Sequence, residues 1–151
     1  MKKYLLLLIS LLIAIEVFAE EATLPGKKVN ITIKDYSDIY PAVWFSPNDG
    51  SISGLIDKSE NPPKPKFKIW IEPQDPEING IGTFILLGHG EDAYNKATVK
   101  TKGKSKHCLL GDDLLGEKPV FLFKDKQNTW VFIILSLNKK DKSIVFVWRK
   151  L

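Results

Sequence analysis

The sequence predicts an all-β protein, a single antiparallel β-sandwich or small barrel over residues 20–151 that ends in a three-stranded meander. Three observations carry this. Short runs rich in Val, Ile, Phe and Trp alternate apolar with polar residues, the period of a half-buried strand. Ten glycines and nine prolines punctuate those runs, and both residue types break regular structure. No segment shows an apolar stripe at helical spacing. With 44% hydrophobic and 26% charged residues, the composition is that of a globular domain. Neither an internal repeat nor a second domain is visible.

Residues 20–28 read as a lead-in ending in Pro25, Gly26, Lys27 and Lys28. Val29, Ile31 and Ile33 then alternate with Asn30, Thr32 and Lys34 as a first strand. Residues 42–45 form a second, closed by Ser46-Pro47-Asn48-Asp49-Gly50. In that turn Pro presets φ, Asn and Asp bond their own backbone, and Gly supplies positive φ. Residues 52–56 return as the second arm of a hairpin. Pro62, Pro63 and Pro65 make residues 61–66 an extended surface loop, because three donors are missing and three φ angles are locked. Phe67, Ile69 and Ile71 alternate with Lys68, Trp70 and Glu72 in the next strand, which Pro73 and Pro76 stop. Residues 83–87, bracketed by Gly80, Gly82, Gly88 and Gly90, read as a buried strand. Residues 97–101 read as a weak one, and residues 102–116 as a loop.

The last third is the clearest. Residues 120–123, 129–137 and 143–148 are strand segments joined by polar turns at 124–128 and 138–142, which makes a meander. Trp130, Phe132 and Ile134 share one face of the middle strand. Val131, Ile133, Leu135 and Leu137 share the other. A strand apolar on both faces must be central and covered on both sides, as in a sandwich or barrel.

The first 19 residues are of another kind. Lys2 and Lys3 precede an apolar run over residues 4–15 broken only by Ser10, and Val17, Phe18 and Ala19 follow. This is the three-part pattern of a secretory signal peptide cleaved after Ala19. A membrane anchor needs about 20 apolar residues, and this run is shorter and meets Glu16, Glu20 and Glu21. No cysteine lies near the cleavage position, so a lipid-anchored form is not expected. The expected location is secreted or periplasmic, with no membrane span in the mature chain.

Charge narrows the partner classes. The net charge is +4, yet of 22 basic residues all but Arg149 are lysines. Arginine is the residue of bidentate phosphate and base-edge recognition, so nucleic acid is not an expected partner. The lysines are interleaved with acids and read as a solvated surface, weakly attractive to anionic cell-envelope polymers. Cys108 is the single cysteine. It allows no intrachain disulfide, and a lone thiol in an oxidising compartment is expected to be buried as a small hydrophobe.

Catalytic patterns are weak. His89, His107, Cys108 and Asp112 are the available metal-ligating types, but no His-x-x-x-His or Cys-x-x-Cys spacing joins them. Adjacent strand residues such as His107 and Cys108 would point to opposite faces. No Gly-x-Ser-x-Gly elbow is present. The acid pairs Asp112-Asp113 and Glu91-Asp92 read as solvated loop carboxylates, and no glycine-rich segment has the lysine and context of a phosphate loop. The sequence implies no catalytic residue, metal or cofactor.

Aromatic residues offer more. Trp44, Trp130 and Trp148 lie among apolar neighbours and read as core. Trp70 shares its face with Lys68 and Glu72, so period two turns it toward the polar side. An outward tryptophan on a sheet is a contact for a saccharide or a protein. The alternative is that the proline-rich loop folds over its ring. Lys68, Trp70, Tyr36 and Tyr40 are the ligand-binding residues expected.

The tail Val120-Phe-Leu-Phe-Lys-Asp-Lys-Gln-Asn-Thr-Trp-Val-Phe-Ile-Ile-Leu, with Ile144-Val-Phe-Val-Trp148, resembles the terminal β-hairpin of small secreted bacterial β-modules of unknown function. Residues 42–52 resemble the start of those modules, where an aromatic strand meets an acidic-glycine turn. The likeness covers about half of the mature chain. It departs at Asn128, where those modules carry glycine. It implies a secreted, mostly β, non-enzymatic module and transfers no site residue.

The expected function is therefore a non-enzymatic binding module, its partner a cell-envelope saccharide or protein. Two alternatives stand beside it: a metal-dependent or hydrolytic enzyme using His89 and His107, and an inhibitor of an envelope-attacking enzyme. The inhibitor ranks last, since a positive chain is poorly steered to the basic lysozyme-like targets of such inhibitors. N-terminal sequencing of exported protein should begin at Glu20; material retaining Met1 would refute the leader.

Overall fold

The computed structural model describes residues 23–55, 67–72 and 74–151. The leader and the proline-rich loop lie outside them. Within the described residues the chain forms one curled sheet of nine antiparallel strands, a half-barrel. The strands are β1 (Lys27–Thr32), β2 (Ala42–Phe45), β3 (Ile52–Gly54), β4 (Phe67–Trp70), β5 (Glu77–His89), β6 (Lys104–Leu109), β7 (Pro119–Lys124), β8 (Thr129–Asn138) and β9 (Ser143–Lys150). Their order is β1-β9-β8-β7-β5-β4-β2-β3, with β6 also paired to β5. The all-β expectation and the closing meander β7-β8-β9 are both present.

Strand β5 makes the sheet curl. Over its first half it pairs with β4, from Phe67↔Gly80 to Trp70↔Glu77. Over its second half it pairs with β7, from Thr83↔Lys124 to His89↔Pro119. The ladder to β6 slips between Asn79 and Phe84, an irregularity that bends a strand and raises its twist. The Gly80-Ile81-Gly82 stretch occupies that slip. A Cβ on Gly82 would lie 2.5 Å from Phe123 Cε2 and 2.6 Å from the Lys124 carbonyl oxygen. Of the four glycines read as flanking a five-residue strand, Gly80, Gly82 and Gly88 thus lie inside a thirteen-residue one and Gly90 opens the helix after it; at Gly82 backbone must approach backbone.

The interior of the curl holds the main core. Phe45, Phe67, Phe84, Phe121, Phe123, Trp130, Phe132, Phe146 and Trp148 are all buried there. Alternation puts the next residues outside, where Val120, Leu122, Val131, Ile133 and Val147 form a second cluster with Tyr94 and Ala97. A short helix, α1 (Gly90–Asn95), supplies Tyr94 to cover that face. Its phenolic hydroxyl donates to the Pro25 carbonyl at 2.6 Å, and the Arg149 guanidinium stands 5.2 Å from its ring centroid. Burial raises the Tyr94 hydroxyl pKa, against a smaller downward pull from Arg149.

Several details correct the sequence reading. Strand β1 begins at Lys27, inside the expected lead-in. Residues 97–101 are not a strand; they form the turn after α1. Residues 102–116 are not a loop. They hold β6 and a helical turn, α2 (Gly111–Leu114). Both helices are too short to show a period in sequence. β6 hid because, apart from Leu109, none of its side chains is fully buried. Cys108 is half-buried, not buried, on this strand. Leu137 joins the interior cluster and not the outer one. The β8–β9 register slips between Ile134 and Ser136, and one extra residue reverses the alternation beyond it.

Gly82→Ala should lower stability by about 1–3 kcal/mol, the usual cost of overpacking, because the Lys124 carbonyl cannot rotate away. Gly111→Ala, whose nearest obstacle is Pro76 Cδ at 3.5 Å, should change the urea midpoint little. Equal midpoints for the two variants would contradict the close approach.

Candidate functional site

The expected ligand surface is on the outer face of β2 and β4. Directly opposed residues share a face, and the register pairs Ala42 with Trp70 and Trp44 with Lys68. Ala42, Trp44 and Leu55 form a small buried cluster on this side, with Tyr40 and Trp70 packed on it half-buried. The Lys68 ammonium stands 5.1 Å from the Trp70 ring centroid, within cation–π range. Tyr36 follows the 3-10 turn Ile33–Asp35 and is 41% exposed. Its carbonyl lies so close to Gly54 that a Cβ there would sit 2.0 Å away. Tyr40 N donates to Ser37 Oγ at 3.2 Å, and Ser37 Oγ donates to the Leu55 carbonyl at 3.5 Å, which ties this loop beside the end of β3.

The fold therefore gathers Lys68, Trp70 and Tyr40 around one outer cluster, with Tyr36 at its edge. Trp70 does lie on the side opposite Phe67 and Ile69, as period two requires. Trp44 is buried as expected, but in this outer cluster and not in the main core. Its Nε1 is buried without an acceptor among the described residues. The loop 61–66 that would cover Trp70 lies outside them.

The titratable residues do not converge. His89 ends β5, exposed, with its ring against Gly116. His107 is exposed on β6 beside Cys108. β6 meets β5 between Ile78 and Leu86, while His89 lies beyond that pairing. Asp112 is exposed on α2. Among the described residues no three His, Cys, Asp or Glu side chains group to hold a metal ion.

Asp113, read from the sequence with Asp112 as a solvated loop carboxylate, is instead held in a built environment on α2. It is buried, and both its oxygens accept from Lys106 Nζ, at 2.5 and 2.6 Å. Oδ2 also accepts from Leu110 N at 3.1 Å. Burial pushes its pKa up, but the Lys106 and Leu110 hydrogen bonds with the Lys106 and Lys104 charges outweigh it and hold the carboxyl below its ordinary value. The pair fastens α2 to β6 and has the character of a structural clamp.

One end of the half-barrel carries a cleft in two parts. The smaller, about 340 Å³, is lined by Lys27, Trp130, Trp148 and Lys150 on one side and by Pro47 and Asn48 of the β2–β3 turn on the other. The larger, about 760 Å³, runs from Asn48 past Ile81 and Thr83 to the β7–β8 turn at residues 125–128. Nothing in the sequence marked these residues as neighbours, because they come from five separate segments.

Comparison with protein-family models, curated proteins and solved structures finds no match to this chain. The site must therefore be read from its own chemistry.

Because the Asp113 carboxyl is lowered on folding, its stabilisation is full above the unfolded value of about 4 and is lost as pH falls through the folded one. Asp113→Asn should cost about 1–3 kcal/mol at pH 7. Urea titrations at falling pH should show the gap to wild type closing below about pH 4. A gap that stays constant to pH 2 would contradict the clamp.

Proposed function

We propose that this protein is an exported, non-enzymatic binding module that presents Trp70, with Lys68, Tyr40 and Tyr36, to a cell-envelope saccharide or protein. The observation that carries this reading is the Lys68–Trp70 pair on the outer sheet face, with its ring centroid 5.1 Å from the ammonium. A half-buried indole offers a flat apolar face beside a polar tip. The lysine holds it to one side and adds a donor. Tyr40 and Tyr36 extend the aromatic surface without belonging to the main core.

The enzymatic alternative gains no comparable support. Its residues are His89 and His107, and nucleophilic or acid–base work needs side chains within hydrogen-bond reach of one another. His107 lies on β6 within its pairing to β5, while His89 lies beyond that pairing, opposite Pro119 of β7. Export rests on the pattern of residues 1–19, which lie outside the described structure.

A thermal-shift panel of peptidoglycan fragments, chito-oligosaccharides, phospholipid vesicles, haem and divalent metals tests the reading. A ligand at 100 times its Kd should add about 2.7 kcal/mol. A saccharide or peptidoglycan fragment is expected to raise the melting temperature, and Trp70→Ala to abolish that rise. A rise with divalent metal alone, reversed by chelator, would overturn the non-enzymatic reading. A saccharide shift unaltered by Trp70→Ala would overturn the assignment of the site.

A further inference from the structure

The cleft at the end of the half-barrel is not the Trp70 surface. It opens at the starts of β1 and β8, the end of β9, the β2–β3 and β7–β8 turns and the bend of β5. We propose that it binds an acidic saccharide, a polyhydroxylated chain bearing carboxylates of the uronic-acid type. This rests on the binding-module reading but not on the Trp70 site.

The smaller part supplies the charge. Lys27 is paired with Trp148 and Lys150 with Trp130 across the β1–β9 and β8–β9 ladders, so each lysine shares the inner face with a tryptophan. Lys27 Nζ stands 5.6 Å from the Trp148 ring centroid. Among the described residues no carboxylate lies within ion-pair distance of Lys27 or Lys150. Among the described residues the ion pairs are made by Lys96, Lys106 and Lys118. Arg149, between the two faces, turns its guanidinium outward to the Tyr94 and Asn95 carbonyls. Trp148 is buried, and among the described residues its Nε1 has no acceptor. The wall is therefore rich in unspent donors and free of carboxylates. Two ammonium groups call for an anion, and the cavity matches the several-hundred-Å³ size of a small-molecule site.

The larger part supplies the rest of the chemistry. Thr83, Gln127 and Asn128 offer hydroxyl and amide groups that both donate and accept, the inventory that pairs with sugar hydroxyls. Asp125 is its one carboxylate, and its Oδ1 already accepts from the backbone N–H groups of Gln127 and Asn128, at 2.7 and 2.6 Å. Lys124 is turned away to the Val99 carbonyl at 2.8 Å. Ile81 is 48% exposed and offers an apolar patch for the carbon face of a ring. Asn48 lines both parts and joins them. The turn that carries it is held in place by Gly50 N donating to the Ser46 carbonyl at 2.8 Å and Ser51 N donating to Asp49 Oδ1 at 3.0 Å. Lys126 also lines this larger part, so a bare anion would leave the hydroxyl and amide groups unused and a neutral sugar would leave the lysines unused. The joined cleft fits a ligand that is both.

The test is a titration of the full ¹⁵N-labelled chain with tetragalacturonate, with maltotetraose and with citrate, followed by NMR. Tetragalacturonate is expected to bind and to shift the Trp148 indole N–H together with the Asn48, Gln127 and Asn128 side-chain amides. Lys27→Gln and Lys150→Gln should each weaken it at least tenfold without moving the melting temperature, and Trp70→Ala should leave its affinity unchanged. Absence of tetragalacturonate binding would overturn the proposal, as would equal binding of maltotetraose, equal binding of citrate, or lysine variants with unaltered affinity. Loss of binding in Trp70→Ala, with Lys27→Gln and Lys150→Gln unaffected, would overturn the cleft while sustaining the Trp70 site.

Discussion

Phe67 touches four other aromatic rings, and the curl of the sheet depends on it. From β4 it reaches Phe45 on β2, Phe84 on β5, Phe123 on β7 and Phe132 on β8, with centroids 5.3–6.1 Å apart. Phe45 extends the same contact to Phe146 and Trp148 on β9, at 5.1 and 5.6 Å. Most of these rings meet edge to face, the arrangement the ring quadrupole favours. A chain without an intrachain disulfide must bring the two arms of its sheet together by burial alone, and this aromatic interior is where it does so. The bend of β5 makes the meeting possible, and Gly82 makes the bend possible.

That geometry decides where ligands can be held. Because the sheet closes around its aromatic centre, the residues at the strand ends become a rim, and unlike segments meet there. Lys27, Lys150 and Asn48 are neighbours only because β1, β9 and the β2–β3 turn converge at one end of the curl. The outer face carries the opposite logic. On one stretch, α1 and Tyr94 cover the β7–β8–β9 strands. On the other, Trp44 and Leu55 are buried while Trp70 and Tyr40 stay partly open. Two stretches of the same outer face thus differ in what remains available to a partner. The Lys106–Asp113 clamp belongs to neither site and serves to fix α2 on β6.

Much of this was legible in the linear chain. The period-two runs of residues 120–123, 129–137 and 143–148 predicted the meander, because a strand buried on both faces must be apolar at every position. The Ser46–Gly50 turn declared its hairpin through the φ preferences of its own residues. Trp44, Trp130 and Trp148 were recognisable as buried from their neighbours, and Trp70 as outward from its period. β6 was not legible, since only Leu109 on it is fully buried and its pairing partner is eighteen or more residues away. The helices α1 and α2 were not legible either, because four to six residues cannot display a helical period. Leu137 was assigned to the wrong face because a bulge leaves no mark in the alternation that precedes it.

By itself the sequence determined the all-β class, the closing meander, the Ser46–Gly50 hairpin and the burial of Trp130 and Trp148. Those properties follow from local alternation and turn chemistry, which act over a few residues. The tertiary structure alone decided that Gly80 and Gly82 lie within a bent strand, that His89 and His107 stay apart, and that Lys27, Lys150, Asn48 and Gln127 line one cleft. Such outcomes depend on which distant backbones pair and in what register. That choice is made by the summed burial of the aromatic interior, and no single stretch of chain contains it.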